Sequence, residues 1–75
     1  MNIRLTDHVR ERMAQRTIYE WQLRLALNSP VSVTQTPDDS LCYLGVVGGQ
    51  LLKVWVVDPT PADGTLIIKS AAWKG

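Results

Sequence analysis

His8, Arg12 and Arg16 are spaced i, i+4 and i+8. On a helix they form a row that drifts over about 80° of the circumference. An imidazole exchanges a proton near neutral pH, and guanidinium groups grip a phosphate through forked hydrogen bonds. Metal-free RNA cleavage needs that combination: a base for the 2′-hydroxyl proton, cations for the charge building on the phosphate, and an acid for the leaving oxygen. The competing reading is structural. A lone histidine at a helix border packs against its neighbours, and Arg10, Glu11 and Arg12 form a solvated face. Further along, Lys53 and Lys69 are interleaved with Trp55 and Trp73. Rings stack bases and lysines meet phosphates, so this pattern suits single-stranded RNA. It equally suits lysines guarding strand edges while the tryptophans fill a core. Trp21 and Leu25 share one of two apolar stripes on the same predicted helix. They anchor a protein partner or pack between helices.

The elements that must position these residues follow from the sequence pattern. Thr6 or Asp7 is a good N-cap, and residues 7–15 contain no Gly or Pro and one β-branched residue, Val9. Thr17 and Glu20 have capping-box spacing, which predicts a second helix from Ile18 to about Asn28, before Ser29-Pro30. Residues 31–36 alternate and are rich in β-branched side chains, which predicts a strand. A turn follows at 37–40. Strands over 41–47 and 50–57 flank Gly48-Gly49, a hairpin signal in which both positions tolerate positive φ. That hairpin pairs Leu44 with Lys53 and Cys42 with Trp55. A loop with two prolines spans 58–64, and the last strand covers 65–72. The expected fold is α+β, with two N-terminal helices packed on a four-stranded antiparallel sheet. Both sheet faces come out apolar, which argues for a second copy or another protein as a partner.

With 75 residues the chain is one domain, 1–75, and its composition of 45% hydrophobic and 20% charged residues is that of a globular protein. Eight Lys and Arg against seven Asp and Glu leave a net charge of +1, too balanced for bulk charge to announce nucleic acid. The charge is uneven, however: all five arginines lie in residues 1–30 and all three lysines in residues 31–75. One cysteine and one histidine can make neither an internal disulfide nor a Cys/His zinc site, so no cofactor or metal is expected. No apolar run approaches the roughly 20 residues of a membrane helix, and Met1 to Arg4 lead into no signal-peptide core. The expected location is the cytoplasm. No Gly loop precedes a helix to cradle phosphates, no Ser/His/Asp set can be argued, and Cys42 reads as buried and inert.

Taken in order, these motifs resemble a family. His8 is followed by Arg12-Met13-Ala14-Gln15-Arg16-Thr17-Ile18, then by Ala26-Leu27-Asn28-Ser29-Pro30. A G-x-x-G-G-x-x-L-K-V hairpin runs from Gly45 to Val54, and Ile67-Ile68 closes the pattern. The chain resembles a small bacterial domain family of unassigned function that is grouped with the RelE/ParE and BrnT toxins of toxin–antitoxin pairs. The resemblance implies a RelE-like fold, metal-independent endoribonuclease activity on RNA or at the ribosome, and neutralisation by an antitoxin. His8, Arg12, Arg16 and Lys53 match the family's pattern, with His8 handling protons and the three cations holding the scissile phosphate. Lys69 does not match, and Thr17 stands where the family commonly has Gly. The alternatives are a non-catalytic interaction module or target-inhibiting toxin on the same fold, which binds a protein through Trp21, Leu25 and the exposed sheet face, and a self-associating domain with no toxic role.

Overall fold

The computed structural model describes residues Met1–Gly75. The chain order is β1 (Ile3–Leu5), α1 (Asp7–Arg16), α2 (Glu20–Asn28), β2 (Pro30–Thr36), β3 (Ser40–Val47), β4 (Gln50–Val57) and β5 (Leu66–Lys74). The protein is a mixed α+β domain with two helices and a five-stranded sheet. No helix is long and apolar enough to cross a membrane.

Thr6 caps α1: its hydroxyl accepts from the Val9 N–H at 3.1 Å and donates to the Ile68 carbonyl at 3.4 Å. The cap therefore also ties the helix start to β5. Thr17 ends α1 in the left-handed region, with φ 53° and ψ 56°, and the Ile18 N–H returns to the Met13 carbonyl at 2.9 Å. This shifts the second helix from its expected start at Ile18. Thr17 is used to stop α1, and Ile18 is buried in the core. The N-cap position passes to Tyr19, whose N–H donates to Gln22 Oε1 at 2.9 Å.

The sheet order is β1-β5-β4-β3-β2. The sequence pattern reads as four strands, all antiparallel. The fifth, β1, pairs parallel to β5, with Ile3 opposite Leu66 and Leu5 opposite Ile68. Three residues are too few to display an alternation, and their partner lies at the far end of the chain. The β3–β4 hairpin has the expected register, Leu44 opposite Lys53 and Cys42 opposite Trp55, because Gly48 and Gly49 both adopt positive φ at the turn.

Both helices pack on one face of the sheet, α1 over β5 and α2 over β3 and β4. The core holds Val9, Met13, Ile18, Leu23, Ala26 and Leu27 from the helical layer, and Val47, Leu52, Val54, Val56, Ile68 and Ala71 from the sheet. Gly45 lets α2 approach: a Cβ at that position would lie 2.6 Å from the Ala26 Cα. The opposite, outward face has no helix on it.

Candidate functional site

Strand alternation assigns each residue of the sheet to a face. Leu52, Val54 and Val56 are fully buried under the helices, so Leu51, Lys53, Trp55 and Val57 point outward. Their cross-strand partners share that face: Cys42, Leu44 and Val46 on β3, and Ser70, Ala72 and Lys74 on β5. On β1, Ile3 and Leu5 pack against the core, so Arg4 between them faces outward beside Ile67. The centre of this face is apolar and half-buried, with Val46 exposed. Arg4, Lys53 and Lys74 stand around it. Burial raises the pKa of the Cys42 thiol above its ordinary value, while the charge of Lys53 on the neighbouring strand opposes that rise.

All seven carboxylates, Asp7, Glu11, Glu20, Asp38, Asp39, Asp58 and Asp63, lie in helices or loops. None is in a strand. The strands therefore carry cations and no carboxylate although the chain is nearly neutral.

Lys69 is committed elsewhere. A bulge in the β4–β5 pairing falls between Trp55, opposite Ser70, and Val56, opposite Ile68, and makes Lys69 the extra residue. Its Nζ forms an ion pair with Asp38 Oδ2 at 3.1 Å, joining β5 to the β2–β3 turn. Asp38 Oδ1 also accepts from the hydroxyls of Thr36 and Ser40, the latter at 2.7 Å. Those hydroxyl bonds first, and Lys69 next, hold the Asp38 carboxyl well below the ordinary carboxylate range. This four-residue clasp had only one trace in the sequence, the turn composition of 37–40.

Regular alternation from 69 to 73 would put Lys69 and Trp73 on one face, and the bulge breaks it. Trp73 pairs with buried Leu52 and lies on the helix side, where its indole N–H donates to the Arg16 carbonyl at 3.0 Å. It is a structural residue and does not share a face with Trp55.

The expected catalytic set divides in the same way. His8 is exposed on α1, Arg12 is half-buried with a 3.4 Å bond to Gln15 Oε1, and Arg16 donates from Nη1 to the Ala71 carbonyl at 2.6 Å. All three belong to the helical layer. Lys53 lies on the other side of the sheet, so the four do not form one pocket. Nor does the row line a cavity. A groove of about 490 Å³ runs past Leu5, Arg10, Met13, Ala14, Thr17, Ile18, Tyr19 and Glu20, and one of about 480 Å³ sits by the β3–β4 turn and Trp73. Trp21 and Leu25 are 58% and 47% exposed, so they point away from the core. Arg4 escaped notice as a site residue because its strand did.

No protein-family model, no curated protein and no solved structure matches the chain.

Proposed function

We propose that the protein is an RNA-binding domain of the toxin type on a RelE-like fold, and that the outward sheet face receives the RNA. The observation that carries this is the absence of carboxylates from every strand, which leaves Arg4, Lys53 and Lys74 unopposed around Trp55. Lysine and arginine meet phosphates, while an indole stacks a base with little regard to its identity. Metal-independent endoribonucleolytic cleavage is the activity the family resemblance attaches to this domain. In that reading His8, in the helical layer with Arg12 beside it and Arg16 held by the Ala71 carbonyl, moves the proton on a segment of RNA separate from the one held on the outward face. Lys53, apart from this row and beside Trp55 on the outward face, is read as a binding residue.

The test is titration of a fluorescent single-stranded RNA at low salt, with cleavage followed in parallel. Trp55→Ala should weaken binding about tenfold, given the ~1–3 kcal/mol of a base–aromatic stack, and Lys53→Ala should weaken it and flatten its salt dependence. His8→Ala should bind as before and lose any cleavage. Wild-type protein that binds no RNA, or binding indifferent to Trp55, would refute the proposal.

The second reading, a protein-interaction module or antitoxin-binding surface, is favoured by Tyr19, Trp21 and Leu25, all large apolar residues left exposed on or beside α2. In a pull-down with the product of a neighbouring short open reading frame, Trp21→Ala would abolish capture under this reading, while Trp55→Ala would not.

A further inference from the structure

β2 forms one edge of the sheet, and Val31 to Gln35 are exposed along it. Natural sheets guard a long edge with charged side chains, prolines, bulges or a covering element. β2 has no charged residue in its seven positions. Its two guards, Pro30 and a bulge in the pairing with β3 that makes Val31 the extra residue, both lie at that one end, so Ser32–Thr36 is left bare. Val31 and Val33 are 64% and 47% exposed. The other edge, β1, is three residues long and carries Arg4.

We infer that β2 pairs antiparallel with β2 of a second copy of this chain, about a twofold axis at Val33, to give one continuous ten-stranded sheet. Val33 is the middle residue of Pro30–Thr36, so such pairing spans the strand, with the bulge at Val31 near each end of the ladder. It sets Val33 against Val33 of the partner subunit and Ser32 against Thr34 of the partner subunit. It sets Val31 against Gln35 of the partner subunit and Pro30 against Thr36 of the partner subunit. Valine–valine and hydroxyl–hydroxyl pairs are favourable across strands, and no like charges meet. The missing N–H of Pro30 falls at the end of the ladder, where it costs least.

Charge selects the occupant. An uncharged strand offers a foreign segment nothing to orient it, but it is complementary to itself, as a twofold interface requires. Face-to-face association of two outward surfaces would bring Arg4, Lys53 and Lys74 against their own copies. The edge is the route by which two copies meet without that repulsion. It also leaves both outward faces open, so this inference does not depend on RNA binding. A single strand pair buries far less than the ~1,600 Å² of a standard interface, so the dimer is weak, mostly monomer near ~1 µM and dimer at several hundred µM.

The experiment is sedimentation equilibrium across that range. Val33→Lys places two ammonium groups together on the axis and should raise the dissociation constant at least tenfold, with circular dichroism reporting the fold. Val46→Lys, on the outward face, should leave it unchanged. A second measurement covers a failure of Val33→Lys to fold. In a Cys42→Ser background, Val33→Cys should give a disulfide-linked dimer under mild oxidation, and Val46→Cys should not. A wild type that stays monomeric throughout overturns the inference. So does a dimer that ignores Val33→Lys, or one that links through position 46 as readily as through 33.

Discussion

Thr17 holds a conformation that its side chain resists. A β-branched residue in the left-handed region is strained by about 1–3 kcal/mol, and glycine is not. Glycine also gives the unfolded chain more freedom, at a cost of about 0.5–1 kcal/mol. Thr17→Gly should therefore stabilise the protein by about 1 kcal/mol and raise Tm by about 4–8 °C, read by thermal melting. Asp38 makes a different contribution at the same scale. Its folded-state pKa lies below the ordinary 3.8. The stability it adds is present above that value and is lost as pH falls through the depressed one. Asp38→Asn removes the ion pair with Lys69 and should lower stability at pH 7. The gap between wild type and variant should narrow by pH 3, as measured by urea unfolding at both.

The β3–β4 hairpin was the most legible element in the sequence. Two consecutive glycines at the turn fix its register, and register decides which face every side chain takes. Single-residue irregularities were not legible. The extra Lys69 breaks the alternation that would put it on one face with Trp73, and no local pattern announces a bulge. The α1–α2 junction was legible as a turn but not in its details. Thr17-x-x-Glu20 has the spacing of a capping box, yet Thr17 is used to end the preceding helix. The His8, Arg12 and Arg16 row was correctly placed on one helix. Its union with Lys53 was not legible, because linear order says nothing of which side of a sheet a helix covers. Gly45 shows the reverse case, a hairpin residue whose meaning is the distance between α2 and the sheet. Gly45→Ala drives a methyl into the backbone at Ala26, so α2 must move. Overpacking of this kind should cost about 2–3 kcal/mol in chemical denaturation.

Across the whole molecule, a net charge of +1 hides a segregation that only the fold makes visible. The helices and loops carry every carboxylate, and the strands carry Arg4, Lys53, Lys69 and Lys74. With Lys69 paired to Asp38, three cations remain for a polyanion on the outward face. If they are the contacts, the logarithm of RNA affinity should fall against the logarithm of salt with a slope of about −2. A slope near zero would mean that stacking alone holds the RNA, and a much steeper one would bring in the arginines of α1.

The parallel seating of Ile3–Leu5 against Leu66–Lys74 has a consequence for the order of events at synthesis. Thr6 and Ile68, joined by a hydrogen bond, stand 62 positions apart. Until the ribosome has released the last strand, the first has no ladder to join, and the cap of α1 lacks its anchor. What emerges earlier is a pair of helices and an unfinished meander with its apolar interior open to whatever is nearby. The nascent chain is therefore most vulnerable, and most available to a chaperone or a co-expressed partner, in the seconds before its final strand appears.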